Sequence, residues 1–385
     1  MANTQIYQVL PGRPFGRGRY GSITLASDPH VRRRGTGTSG TKTLTLSSGA
    51  YANGDLIVIK QMTGSSHLTS TAENWEINYV VSGGGTTTLT LLNNLSRNYS
   101  GAEVLDLKEY INLTISSFTI TGWNTSNQFG GSIAVAALGV TTWSGAVSGN
   151  GTNGNVTGSD TGGTPSDGGG YKGGWISSDA SNARQGEGWP GVGSELQTAN
   201  GNGGGGALGN AGAGKNPGGG GGNGSAGQSI PTNGGNGGDT AGNTALTSFF
   251  LGGGGGGADT VDATQPAGSG ANGGGGFMGW FNKLNTITGS LNLNGGVGGN
   301  GTDDADGGSG AGGSCLLNVG NGAIGTNKIT ANGGSASGFG GAGGAGRVRI
   351  NYGAVITGSS SPSASTAHDP YLVAGSGGSF LSSFV

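Results

Sequence analysis

Few residues of this chain have types and spacings that could do chemistry, and glycine surrounds most of them. Gly209-Asn210-Ala211-Gly212-Ala213-Gly214-Lys215-Asn216 comes one residue short of a phosphate-binding loop, because Asn216 stands where Ser or Thr would hold Mg²⁺. With 94 glycines among 385 residues, such a near match is expected by chance. Gly234 to Asp239 and Gly298 to Asp303 each fit the first six places of a calcium-binding nonapeptide, whose carboxylates and backbone carbonyls supply the oxygens. Calcium arrays of that kind need tandem copies, and these two stand far apart. The acidic run Asp303, Asp304 and Asp306 therefore reads as a solvated loop, with one calcium ion as the weaker alternative. His30, His67 and His368 sit in separate segments without carboxylate or cysteine at metal spacing, and Cys315 reads as a small buried residue. No nucleophile elbow or paired-carboxylate motif stands out, so no enzyme is expected.

Aromatic residues are the stronger candidates. Tyr171, Trp175 and Trp189 fall in one polar insert of the glycine-rich region, Phe249 and Phe250 in a second, and Trp280 with Phe281 in a strand-like segment. Aromatic rings offer flat faces to sugars or apolar receptor patches at small entropic cost. The competing reading packs them as a cap over glycine runs, most strongly for Trp280 and Phe281. Tyr171, Trp175, Trp189, Phe249 and Phe250 are the candidate binding residues.

The elements that must position them start with the glycine body. Of the 94 glycines, 70 lie between Gly149 and Gly346, in runs such as Gly218 to Gly222 and Gly252 to Gly257. A flexible linker has no use for the bulky apolar residues that punctuate these runs, and collagen needs glycine at every third place with abundant proline. A packed array of polyproline-II-type helices fits better. Such helices have no internal hydrogen bonds, and only backbones without Cβ atoms approach closely enough to bond sideways. That array needs a rigid scaffold. Gly131-Ser132-Ile133 leads to Asn150-Gly151, Gly276-Phe277-Met278 to Asn294-Gly295, and Gly313-Ser314-Cys315 to Asn332-Gly333, while Gly346-Arg347-Val348 opens a fourth unit. A second β segment lies inside each unit: Val140 to Trp143, Asn285 to Thr288, and Asn327 to Thr330. Stacked, these units make a β-solenoid from which the glycine runs leave at equivalent corners.

The chain thus divides into a basic irregular arm over 1–40, a β-rich head over 41–120, a solenoid and polyglycine body over 121–352, and a flexible tail over 353–385. The fold class is all-β with essentially no α-helix. Short alternating strands in the head are compatible with a sandwich, a barrel or a solenoid. Arg13, Arg17, Arg19, Arg32, Arg33 and Arg34 in the arm, and Tyr371, Leu372, Phe380 and Phe384 in the tail, are candidates for docking onto another subunit. A net charge of −2 gives no general pull toward nucleic acid, no run is long and apolar enough to insert in a membrane, and Met1 to Leu10 shows no secretory leader.

Runs like Gly218 to Gly222 and Gly252 to Gly257, separated by variable inserts carrying aromatics, resemble the glycine-rich adhesins at the tips of T-even-type phage tail fibres. The alternation of Gly-Ser-Ile strands with Asn-Gly-Gly turns is also similar to glycine-rich repeat proteins of phage and bacterial surfaces. The resemblance covers about 121–352 and implies a polyglycine-II sandwich whose inserts touch a host receptor or polysaccharide. It implies a virion or extracellular location and a non-enzymatic adhesin, as a homo-oligomer or docked to another fibre subunit. The alternative expectation is a self-assembling subunit of an extracellular filament or matrix.

Overall fold

In a computed structural model the described residues are 14–64, 73–157, 167–177, 182–209, 216–260, 265–302 and 304–372. They are all-β, and their one helical element is the short 3-10 turn Pro370–Leu372. Thr43–Leu46 and Thr88–Leu91 alternate leucine and threonine, which places Leu44, Leu46, Leu89 and Leu91 on one face. With Arg32–Gly37, Leu56–Lys60, Trp75–Ser82 and Tyr99–Asp106 they close an antiparallel barrel of six strands. The leucines meet Ile57, Ile59, Val80 and Val104 inside it, and closure leaves no strand edge exposed. The barrel begins at Arg32, inside the expected arm, because Arg32–Gly37 pairs with the distant strand Tyr99–Asp106.

From Lys108 onward the strands pair in parallel, apart from the short antiparallel contact of Val156–Thr157 with Ala267–Gly268. Ser132 stands level with Gly276, Ser314 and Arg347. Each rung turns along three sides. In the second rung Val135 to Ala137 pairs with Lys108–Tyr110, Thr141 to Trp143 with Leu113–Ile115, and Val147 and Ser148 with Phe118–Thr119. Ile23–Leu25, also from the expected arm, adds to the second side beside Leu113–Ile115. Columns of side chains fill the interior: Ile133, Phe277, Cys315 and Val348 form one, and Val147, Leu291 and Ile329 another. Gly279 stands in the column of Val135 and Leu317, where a methyl would come within 2.6 Å of the Phe281 ring, so its bare backbone leaves the space that ring fills.

The register refines the repeat. Gly131, Gly275 and Gly313 are the equivalent openings, one residue earlier than expected in the middle unit. The asparagines that follow form a ladder: Asn294 N–H donates to Asn150 Oδ1 at 2.9 Å, Asn332 N–H to Asn294 Oδ1 at 2.8 Å, and Ser361 Oγ to Asn332 Oδ1 at 2.8 Å. Ile329 and Thr330 lie on the third side, level with Leu291 and Asn292, and not on the second side with Val140 to Trp143. The corner holding Gly325 and Asn327, both at positive φ, takes up extra residues in that rung.

The glycine-rich segments leave the stack between rungs, and their roots are pinned. Gly275 N–H donates to Gly149 O at 2.7 Å, Gly313 N–H to Leu293 O at 2.8 Å, and Gly346 N–H to Ala331 O at 2.7 Å. Beyond the roots the runs lie side by side. In the run from Gly252 to Asp259, residues 252, 255 and 258 donate to Gly274, Ala271 and Gly268. Residues 253, 256 and 259 donate to Gly222, Gly219 and Asn216, and residues 254 and 257 to Glu187 and Arg184. Its carbonyls accept in the same rotation from Tyr171, Gly174 and Ser177, from Gly204 and Ala207, and from Gly308 and Ala311. One run thus has six neighbours, three on its donor sides and three on its acceptor sides. Three residues per turn is the polyproline-II period. Gly218 to Gly222 and Gly307 to Gly312 are surrounded in the same way.

None of the glycines 252–257 has a left-handed φ, so their conformational freedom is not what the lattice uses. A methyl on Gly253 would land on the Asn202 carbonyl oxygen, and one on Gly256 on that of Gly205. The missing Cβ is what lets backbones bond sideways.

Barrel and stack meet along the outward face of the first side. Leu56, Val58, Trp75 and Ile77 pack against Ala134, Ala136, Met278, Trp280 and Leu316, with the Trp75 and Trp280 rings 6.4 Å apart in an edge contact. A buried charge network closes one end of this seam. Glu103 takes Lys60 at 2.9 Å and Arg32 at 3.3 Å, Lys60 also donates to Ser132 Oγ, and Arg32 donates to Asp28 and to Ser132 O, each at 2.7 Å.

Candidate functional site

The structure separates the five aromatic candidates. Tyr171 is fully buried, its hydroxyl donating to Met62 O at 2.5 Å and its ring set edge-on to Trp123. Phe249 is buried in the seam, where Asn74 exchanges two hydrogen bonds with its backbone. Phe250 is buried against Ala241, with Trp189 half-buried alongside. A ring covered on both faces has none to offer a ligand. Trp175 differs, being 38% exposed.

The three-residue period explains what stands beside Trp175. Tyr171, Gly174 and Ser177 turn their N–H groups inward to the central run. Lys172 and Trp175, three residues apart, share another side of the same helix. Their carbonyls accept from Glu187 N–H at 2.8 Å and Arg184 N–H at 3.1 Å, a pair that is also three apart and runs the other way. The lattice therefore brings Lys172, Trp175, Arg184 and Glu187 to the lining of one cleft, about 230 Å³ in volume, completed by Thr125, Ser126, Gln185 and Val192. The motifs Lys-Gly-Gly-Trp and Arg-Gln-Gly-Glu carry this spacing in the sequence.

Arg184 lies over the Trp175 ring, its guanidinium carbon 4.0 Å from the ring centroid, and its Nε donates to Gly193 O at 2.6 Å. Glu187 Oε2 accepts from Trp123 Nε1 and Thr125 Oγ1, each at 2.9 Å, and from Lys172 N–H at 3.2 Å. Burial raises its carboxyl above the ordinary glutamate value against the pull of those donors. Glu187 thus organises the floor, tying the loop between the first and second rungs to the lattice. Lys172 faces Asp167 at 3.5 Å. The arrangement offers a ring, a stacked guanidinium, an ammonium and hydroxyls, which are binding groups.

The other candidates lie elsewhere. Arg17 pairs with Glu109 at 2.5 Å and Arg19 with Asp55 at 2.9 Å, Arg32 belongs to the seam, Arg33 donates to Arg32 O, and Arg34 donates to Gln128 Oε1. Leu372 is buried at the seam, whereas Tyr371 is 65% exposed. Arg13, Phe380, Phe384, His67, Asp303 and most of the near P-loop lie outside the described residues. Asp306 Oδ2 accepts the Phe339 N–H at 2.8 Å, and among the described residues no three His, Cys, Asp or Glu side chains gather as metal ligands. Burial pushes the Cys315 thiol up, consistent with an inert core position.

No described protein family and no curated protein matches the chain. Among solved structures it is similar to the Gp54 tailspike of Acinetobacter baumannii bacteriophage AP22 in complex with A. baumannii capsular saccharide, at a TM-score of 0.20 and 10% identity. That alignment covers 91% of this chain and 59% of the tailspike chain, and at this score it assigns no residue a role.

Proposed function

We propose that this chain is a non-enzymatic adhesin of a virion or an extracellular fibre, in which a polyglycine-II-type lattice rooted in a β-solenoid presents the Trp175 cleft to a glycan on a host surface. The observation that carries this reading is Trp175 itself. It is a large ring, more than a third exposed, held by backbone hydrogen bonds on a rigid platform and ringed by polar donors. The test compares the full chain with Trp175→Ala on a glycan array and on host cells. A loss of at least about tenfold in binding at an unchanged melting temperature is expected, as for removal of a central aromatic anchor. Unchanged binding would sink the reading.

One observation favours a filament as second reading. Ser365–His368 pairs only with the strand Arg347–Tyr352 among the described residues, which leaves a parallel edge at one end of the stack. Concentration-dependent growth of particles in electron micrographs is the outcome that reading requires.

A further inference from the structure

We infer that the ligand of the Trp175 cleft is an acidic sugar whose carboxylate is held by the Arg184 guanidinium; this rests on the glycan-binding reading above. Arg184 is fixed in two ways, by its stack on Trp175 at 4.0 Å and by the 2.6 Å hydrogen bond from Nε to Gly193 O. Among the described residues no carboxylate pairs with it, and its two terminal nitrogens have no partner. A planar guanidinium held by stacking presents those nitrogens as a ready fork, the geometry that matches a carboxylate in two parallel hydrogen bonds.

The nearest acid does not fill that place. Glu187 is turned inward, with three donors on Oε2 from Trp123, Thr125 and Lys172. Lys172 adds a second positive charge to the rim, and its contact with Asp167 at 3.5 Å is longer than a close charge-assisted hydrogen bond. Thr125 and Ser126 also line the cleft, with the Thr125 hydroxyl already donating to Glu187. At about 230 Å³ the cleft falls below drug-sized sites and suits one ring of a longer glycan. A neutral sugar would use the ring and the hydroxyls but leave the fork empty.

The test is calorimetric titration of the full chain with a hexuronic-acid oligosaccharide and with the same oligosaccharide after its carboxyls are reduced to alcohols. The acid form is expected to bind about tenfold more tightly, with the advantage shrinking as salt is added. Arg184→Gln should erase the preference, and Arg184→Lys, which keeps the charge without the planar fork, should erase most of it. Both variants are checked for an unchanged melting temperature and near-ultraviolet circular dichroism. Equal binding of the two forms by the wild-type chain, or a preference that survives in Arg184→Gln, would overturn the inference while leaving glycan binding intact. Silence with both forms also overturns it, and the adhesin reading falls with it only if the glycan array and host cells are silent too.

Discussion

The barrel and the glycine lattice solve one problem by opposite means. In the barrel, alternating leucines and β-branched residues point inward, and the ladder hydrogen bonds serve mainly to align them. In the lattice the buried material is the backbone itself, and apolar side chains collect only in small groups at its rim, such as Met62, Trp123, Tyr171 and Leu251. A hydrogen bond is worth only about 1 kcal/mol net, and glycine loses more freedom on folding than any other residue. A lattice of this kind therefore depends on the number of bonds each run makes and on pinned ends. Six neighbours per run supply the first, and the roots pinned at Gly149, Leu293 and Ala331 supply the second.

Substitution should break that contrast most visibly at glycine. Gly256→Val places a side chain on the Gly205 carbonyl oxygen, with backbone on every side, and is expected to cost at least about 4 kcal/mol in urea unfolding. Gly40→Ala in the barrel region meets nothing within 4 Å and suffers only from a φ of +79°, so a cost of about 1–2 kcal/mol is expected. Equal, small effects would mean that the runs are not packed. Trp280→Ala should cost about 3–5 kcal/mol, because it empties the seam against Trp75 and leaves the lattice contacts untouched. Its signature is loosening of the barrel in limited proteolysis while the lattice amides keep their protection.

Acidity gives a smaller effect of opposite sign in the two regions. Burial holds the His30 pKa below the ordinary 6.5 against the opposing pull of Asp106, toward which Nδ1 is directed at 3.2 Å, and Nε2 accepts the Ala134 N–H at 3.1 Å as a neutral ring does. The unfolded chain takes up that proton first. His30 therefore leaves stability whole above about pH 6.5 and draws it down as the pH falls below that value. Asp28 and Asp106, whose pKa values are lowered, add their own losses as the pH falls below about 3.8. Glu187 acts in the other sense: its raised pKa gives a stabilisation present at acid pH that fades as the pH rises above 4.5. Melting curves from pH 7 to pH 5 should fall less steeply for His30→Gln than for the wild type and more steeply for Glu187→Gln. Parallel curves for all three would remove both assignments.

Much of the scaffold was legible in the sequence because it rests on local pattern. The alternation in Thr43–Leu46, the glycine openings and the Asn-Gly turns each carry their own period, and the openings and asparagines of successive rungs stand in register to within one residue, whereas Asn327 to Thr330 fell on another side. The role of Arg32–Gly37 was not legible, because it depends on a strand some seventy residues away and its own composition argues for a turn. The aromatic candidates failed to separate for the same reason. Tyr171 is buried by Met62 and Trp123, and Phe249 by Asn74 and Lys60, none of them sequence neighbours. The cleft was half legible. Trp175 stood out as an aromatic, whereas Lys172, Arg184 and Glu187 become meaningful only once a period of three is applied to the glycine runs.

Amide hydrogen exchange along Gly252 to Asp259 tests the lattice most directly. Slow exchange is expected at every position of that run, in all three phases of the period, with protection comparable to the strand Ser314–Thr330. Exchange at the rate of an unstructured glycine linker would contradict it.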